Sequence, residues 1–568
     1  MANIIQRSFN SQAVQALTES GMQPILARVL AARGIDQSEQ LDVSLAKLIP
    51  PERLTNVSQM AVLLADAIAQ NQSLLVVGDY DCDGATATAV AIRGLRSMGA
   101  QVEYLVPNRF EYGYGLTPEI VELAAARQPD IIITVDNGIA SVDGVAKANS
   151  MGIRVLVTDH HLPGDVKPAA ACMVNPNQHG CDFPSKHLAG VGVIFYVMLA
   201  LRAELRSRGV FEEKHEPNLT ELLDIVALGT VADLVKLDDN NRILVEQGLR
   251  RIRAGKSCAA IRALLKLAGR DATKANAQDL GFSVGPRLNA AGRLDDMALG
   301  IACLISDDEV EVAVMAQRLH TMNLERRAIE ADMQEAANIS LDEVDVGEQF
   351  SLSIFEPDWH QGVIGILASR VKEQYHRPVI AFAKGSDGNL KGSGRSIKGL
   401  HLRDALDLVA KRHPDLILKF GGHSMAAGLT IPHDGFQTFK HAFEDVAASL
   451  LTPADLDAVI ETDGSLSAHE VDWDVAVALD KQVWGQGFPA PLFSDAFIVK
   501  LQKVVGERHL KLSLQKADDQ TGRMIDAIYF QQQDFLPPKV HVVYELQTNE
   551  FNGRRSVQLN VRHCVPVE

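Results

Sequence analysis

Short continuous apolar runs, each bounded by turn-forming residues, dominate the first third of the chain. Leu74-Leu75-Val76-Val77, Ile131-Ile132-Ile133-Thr134-Val135 and Arg154-Val155-Leu156-Val157-Thr158 are too short for helices and read as strands buried on both faces. The pattern predicts strands at 74–78, 102–106, 131–135 and 153–158, separated by helices over 85–98, 118–126 and 143–151. A further short strand ends at Met173-Val174-Asn175-Pro176, and apolar helices follow at 190–205 and 218–232. Repeated strand–helix–strand units predict a doubly wound α/β domain with a parallel sheet. The stretch 306–340 has almost no Gly or Pro and reads as one long helix linking two bodies. A second, smaller α/β segment runs from about 349 to 451. After Thr452-Pro453 the pattern shifts to short strands at 492–504, 509–515, 523–530, 540–546 and 555–562, an all-β module that fits a small Greek-key barrel. The expected domains are helical decoration at 1–70, an α/β domain at 71–305, the linking helix at 306–345, the second α/β domain at 346–452 and the barrel at 454–568.

What ends the three apolar runs changes the picture. They lead into Gly78-Asp79-Tyr80-Asp81-Cys82-Asp83-Gly84, Asp136-Asn137-Gly138 and Asp159-His160-His161. Ligands of open parallel sheets sit outside the carboxyl ends of the strands. Asp is also a common cap and turn former after a strand. Three such ends on one sheet edge, however, gather like charges that repel unless cations stand among them. Asp81 and Asp83 are two apart, so an extended backbone points both the same way. Gly84 then lets the chain turn, and the small residues after it are expected to leave the helix's amide end open to anions. Mixed histidine and carboxylate donors suit manganese or a similar first-row metal better than calcium. Asp224 lies inside the apolar stretch Leu222–Ala232, where an unpaired charge is costly, and is expected to be a further ligand. Four carboxylates with one or two histidines suffice for two metals, the arrangement that drives phosphoester or phosphoanhydride hydrolysis.

Size and charge set limits. At 568 residues the chain exceeds one core, so several domains are expected. The net charge of −17 argues against a protein that coats nucleic acid, though a narrow basic groove is compatible with it. Six scattered cysteines without a CxxC pair read as free thiols of a reducing cytosol. Met1 to Asn10 is polar and carries Arg7, unlike a signal peptide, and no run of roughly 18 apolar residues offers a membrane span. A cytoplasmic protein with no membrane contact is expected.

The Asp79–Gly84, Asp136, Asp159-His160-His161 and Asp224 motifs together resemble the DHH phosphoesterase superfamily. Val106–Gly115, Leu188–Val193 and Gly285-Pro286-Arg287-Leu288-Asn289-Ala290-Ala291-Gly292-Arg293-Leu294 resemble its RecJ-type members. Trp359–Gly365 and Lys419–Gly428 resemble the domain associated with DHH. The resemblance spans roughly 50–568 and implies that the terminal module is an OB-fold. It implies a single-strand-specific 5′→3′ DNA exonuclease releasing 5′-mononucleotides, a monomer acting in recombination and mismatch repair. Single-strand-binding protein and a RecQ-type helicase are the partners it suggests.

Residue by residue, it implies that Asp81, Asp83, Asp136, His160 and Asp224 hold two Mn²⁺ or Mg²⁺ ions, with Asp136 as bridge. Asp79, Asp159 and His161 would support the ligands or touch the scissile phosphate. Ser393, Arg395, Gly421, Gly422 and His423 fit a pocket for the 5′-terminal phosphate, with Arg109, Arg287 and His360 as further phosphate contacts. One departure stands out: Gln486-Gly487-Phe488 lacks the Asn of the corresponding Gly-Asn-Pro stretch. A small-substrate relative such as a pyrophosphatase, or a scaffold that has lost its metals, is the rival reading. Length and the terminal module oppose the first, and the full set of acids opposes the second.

Overall fold

The computed structural model describes residues 3–108, 112, 115–212, 215–342, 346–506, 508–551 and 554–567. Arg109 lies outside them. The chain forms two compact units, one built mainly of residues 6–320 and 461–568 and the other of 321–460.

The larger unit holds the expected parallel sheet. Strands β1 (Ser73–Gly78), β2 (Gln101–Leu105), β3 (Ile131–Val135), β4 (Arg154–Thr158) and β5 (Cys172–Val174) lie in the order β2-β1-β3-β4-β5, every pair parallel. Every residue of β3 is buried, which accounts for its unbroken apolar run. Helix α1 (Cys82–Ser97) follows β1. Helices α2 (Pro118–Ala125) and α3 (Val142–Ser150) pack their apolar stripes with the sheet residues Leu75, Ile132 and Val155. Helices α4 (Gly190–Ser207) and α5 (Leu223–Ala232) pack on α1. α5 is apolar around its whole circumference, as a helix buried on all sides must be. Further along, α6 (Gly285–Leu294) lies against α1.

The C-terminal barrel belongs to the same unit. Strands β11 (Phe493–Val505), β12 (His509–Lys516), β13 (Met524–Phe530), β14 (Lys539–Phe551) and β15 (Arg554–Pro566) close in the order β11-β12-β13-β15-β14, with β13 and β15 parallel. The divergent Gln486-Gly487 stretch seats the approach to this barrel on the α/β domain. The Leu237 amide donates to the Gln486 carbonyl at 2.8 Å, and Gly487, at φ +70°, leaves room for Lys236. Phe488 stacks with Trp484 and lies under the Arg242 guanidinium.

Helix α7 (Glu309–Asp342) is the expected long helix. The smaller unit carries a mixed sheet of β6 (Leu352–Phe355), β7 (Val379–Lys384), β8 (Leu390–Arg395), β9 (Lys419–Gly422) and β10 (Ala426–Ile431), ordered β9-β10-β8-β7-β6. Helices α8 (Ile364–Tyr375), α9 (Leu402–Arg412) and α10 (Phe436–Leu450) accompany it. Phe382, Leu402, Phe439 and Phe443 are among its core residues. Among the described residues no helix is long and apolar enough to cross a membrane.

Candidate metal centre

The carboxyl ends of β1, β3 and β4 meet at one edge of the parallel sheet and deliver their acids there. Asp81 caps α1: its Oδ1 accepts the Asp83 and Gly84 amides at 2.9 and 3.0 Å. The Cys82 amide donates to Asn289 Oδ1 at 2.8 Å. The amide end of α1 is therefore taken up by the chain's own acceptors, not left open to an anion as the sequence suggested. Asp83 is fixed from the opposite side, its two oxygens accepting the Gly190 and Val191 amides at 2.6 and 2.9 Å. These amides open α4, so a helix N-terminus steadies this carboxylate.

Asp136 follows β3 in the left-handed region, at φ +62°. Gly190 makes room for it, since a Cβ there would stand 2.6 Å from the Asp136 side chain. His160 Nε2 lies 3.1 Å from Asp136 Oδ1, 3.6 Å from Asp233 Oδ2 and 3.9 Å from Asp83 Oδ2. Three overlapping groups have donor atoms within 4.8 Å of one another: Asp79 with Asp81 and Asp136, Asp136 with His160 and His161, and Asp83 with His160 and Asp233. Asp159 stands behind them. Its Oδ1 accepts from His161 Nδ1 at 2.8 Å and from the His160 amide, and its Oδ2 accepts the Ile139 amide. It orients the histidines.

Asp233 was not among the expected ligands, and Asp224 has to be withdrawn from them. Asp224 lies in the first turn of helix α5 and Asp233 just past its last residue, and the end at Asp233 is the one that reaches the cluster. Asp224 is fully buried elsewhere, accepting the Cys258 amide at 2.6 Å, and the positive charge of Arg251 acts on it against its burial. From sequence, an acid inside an apolar run looked costlier than one at its end. Asp233 did carry a signal: like Asp79, Asp136 and Asp159, it terminates an apolar run.

Electrostatics shows what the cluster wants. Burial, then the charge of Asp81, pushes the Asp83 carboxyl up to about 7. Burial and the neighbouring acids likewise push Asp136 and Asp233 well above the usual carboxylate range. For Asp159, burial acts upward, but the hydrogen bond and charge of His161 outweigh it and hold the carboxyl low. His161 in turn is raised to about 9 by Asp159 against the opposing effect of burial. Without cations the acids cannot all be ionised at neutral pH. An oxygen-rich donor set with two imidazoles fits Mn²⁺ or Mg²⁺ and lacks the thiolates that soft metals prefer.

The smaller unit gathers part of the expected phosphate pocket. A Cβ on Gly365, in the first turn of α8, would lie 2.9 Å from Ser393 Oγ and 3.1 Å from Arg395 Nη2, so these groups meet at the start of that helix. Arg395 Nη1 donates to the Gly394 carbonyl at 2.8 Å and contacts Ser393 Oγ at 3.3 Å. Gly421, Gly428 and Ser393 are register neighbours across β9, β10 and β8, and a Cβ at Gly421 would meet nothing within 4 Å. Gly422, at φ +143°, has no room for a side chain beside Ala426, and the His423 amide closes the turn on the Ala426 carbonyl. His360 shapes the approach to α8: its Nδ1 accepts the Gly362 amide and its carbonyl the Val363 and Ile364 amides. Arg287, in the larger unit, is buried, donating to the Ser283 carbonyl and, at 3.1 Å, to His320 Nδ1.

Residues 73–230 match the family described as DHH family, N-terminal domain, residues 347–449 the DHHA1 domain and residues 462–563 the RecJ OB domain. The single-stranded-DNA-specific exonuclease RecJ of Dickeya dadantii is 51 % identical over 555 residues, covering 96 % of both chains. The crystal structure of RecJ from Thermus thermophilus in complex with Mn²⁺ has a TM-score of 0.84 at 29 % identity, covering 100 % of this chain and 79 % of that one. The corresponding Mg²⁺ complex gives 0.78 at 28 % identity, covering 100 % and 78 %.

Proposed function

The chain belongs to the RecJ family of single-stranded-DNA-specific exonucleases, and from that premise we propose that it degrades single-stranded DNA from the 5′ end, releasing 5′-mononucleotides. The observation that carries this reading is the convergence of Asp79, Asp81, Asp83, Asp136, His160, His161 and Asp233 at one sheet edge.

These residues would hold two divalent ions, Mn²⁺ or Mg²⁺, with Asp136 shared by two of the three donor groups. When bound, such a pair supplies Lewis-acid charge for the scissile phosphate and a hydroxide near neutral pH. The protein's part is to keep the donors in place. The Gly190 and Val191 amides fix both oxygens of Asp83, and the chain's own amides fix Asp81. Asp159 holds the Nδ1–H of His161, which leaves the far nitrogen of that ring for a metal or for the phosphate. Ser393, Arg395 and the start of α8, with the open backbone at Gly421, would receive the 5′-terminal phosphate: a guanidinium beside a helix N-terminus is an anion site. Family membership also supports a cytoplasmic role in recombination and mismatch repair beside single-strand-binding protein and a RecQ-type helicase.

The test is digestion of 5′- and 3′-labelled single strands, with duplex controls, in Mn²⁺ by wild type and Asp81→Ala. Mononucleotides released progressively from the 5′ end, and lost in the variant, are expected. Binding without cleavage would point to a scaffold, and cleavage of pyrophosphate alone to a small-substrate enzyme.

A further inference from the structure

The catalytic domain and the barrel line a groove of about 390 Å³, and its catalytic wall takes Val231 and Leu234 from either side of the cluster residue Asp233. Helix α5 ends at Ala232, Asp233 faces His160, and Leu234 carries the chain onward at φ +60°. That conformation is an outlier for a bulky side chain. Leu234 is nonetheless 65 % exposed in the groove. A π-helical turn, Leu280–Val284, forms another part of the wall. Such turns concentrate at functional sites. Gly281 pins the turn to α5, since a Cβ there would stand 3.0 Å from Val231 Cγ1. The next residue, Phe282, lines the same groove with 73 % of its surface exposed. A single exposed apolar residue is ordinary. Two large ones in one groove, one of them next in the chain to a cluster acid and held in a strained backbone, call for an occupant.

Charge identifies it. From Arg250 to Lys274 the chain carries eight Arg and Lys against one acid, Asp271, within a protein of net charge −17. This segment adjoins the groove without lining it: Arg253 donates to the Ala275 carbonyl, next to the lining residue Asn276, and Arg270 contacts Ser283 Oγ at 3.4 Å, next to Phe282, while Arg253 also pairs with Glu246 and Arg270 with Asp279. An apolar platform with a cationic approach suits one nucleotide of an unpaired strand, its base on the ring and its phosphates along the basic flank. A paired base keeps its faces inside the stack and cannot use such a platform.

We propose that Phe282, with Leu234 beside it in the groove, is a stacking platform for one base of the single strand next to the metal centre. This rests on the exonuclease reading and deepens it by supplying a preference for unpaired DNA at the catalytic domain itself.

The experiment is fluorescence anisotropy on the full chain in EDTA, with a 3′-labelled oligothymidylate and a series of the same oligonucleotide carrying one abasic site at successive positions. Wild type is expected to lose affinity at one abasic register. Phe282→Ala should bind the intact strand roughly fivefold to a hundredfold more weakly and lose its sensitivity at that register. Phe282→Tyr should restore both, whereas Phe282→Leu, which keeps apolar bulk but no ring, should not. Equal affinity of wild type and Phe282→Ala, or an abasic profile that the variants leave unchanged, overturns the platform. Manganese-dependent digestion by the wild type decides the exonuclease reading separately.

Discussion

Asn289 accepts the Cys82 amide hydrogen at 2.8 Å, and so a helix more than two hundred residues further along the chain holds the one amide that lies between Asp81 and Asp83. The same helix, α6, comes closer still at Gly292, where a Cβ would stand 2.0 Å from the Tyr80 carbonyl. Helix α6 thus braces the acidic loop on both sides of Asp81.

Outer hydrogen bonds of this kind set the position of metal donors. Asn289→Ala is expected to weaken Mn²⁺ binding by roughly 10- to 100-fold. Leaving the Cys82 amide without its acceptor should also cost about 1–3 kcal/mol of stability. Calorimetric Mn²⁺ titration separates the two effects. Unchanged affinity with a lowered melting temperature would reduce the bond to a structural one.

Asp233 and Asp224 make a sharper pair. Asp233→Asn should abolish manganese-dependent cleavage while raising the melting temperature of the metal-free protein, because it removes one member of a repelling cluster. Asp224→Ala should do the reverse: it loses the hydrogen bond from the Cys258 amide, about 1–3 kcal/mol of stability, and keeps its Mn²⁺ affinity. Loss of Mn²⁺ binding in Asp224→Ala, measured by calorimetry, would return that residue to the site.

Stability of the metal-free protein should fall as pH rises. Asp83, raised to about 7 by burial and then by Asp81, keeps a proton in the folded state that the unfolded chain releases near its ordinary value. Between pH of about 4 and 7 the unfolded state therefore binds fewer protons, and Asp83 alone removes up to about 4 kcal/mol. His161 acts in the same direction at higher pH. Its contribution is complete below about 6.5 and is lost as pH rises through about 9. The rise in melting temperature on adding Mn²⁺ should accordingly grow with pH. Thermal melts in EDTA and in Mn²⁺ across this range check it, and Asp83→Asn should flatten the lower part of the EDTA curve.

The strands and their acids were legible because a parallel strand buried on both faces leaves an unbroken apolar run, and its carboxyl end is where a polar residue first reaches a ligand. The long helix and the terminal strands announced themselves by composition in the same way. What stayed hidden depends on tertiary contact. Helix α5 is apolar on every side, so its periodicity does not say whether Asp224 in its first turn or Asp233 at its end faces the sheet edge, and only the position of Asp233 at the close of the apolar run hints at it. The capping of α1 by Asp81 and Asn289 needed the loop and a distant helix brought together. Phe282 is one phenylalanine among 19 until its exposure and its neighbour Leu234 are seen.

The smaller unit yields the last prediction. Arg395 and Ser393 meet the first turn of α8 at Gly365, a place with both a fixed positive charge and the partial charge of a helix N-terminus. Burial lowers the pKa of the Arg395 guanidinium, which still stays charged at working pH. A terminal phosphate supplies the compensating charge that a terminal hydroxyl does not. Wild type should therefore favour 5′-phosphorylated over 5′-hydroxyl single strands. Arg395→Gln should reduce that preference by roughly 10- to 100-fold, the worth of a charge-assisted hydrogen bond. The loss should appear in KM for the phosphorylated strand, with the hydroxyl strand nearly unaffected, because on the proposed reading the residue would meet the end of the substrate and not the bond that breaks. Gly365→Ala should act in the same sense by pressing a methyl group against Ser393 and Arg395. Steady-state kinetics on the two substrates decide the matter: equal losses on both strands would mean that Arg395 serves the fold of the unit and not the recognition of the phosphate.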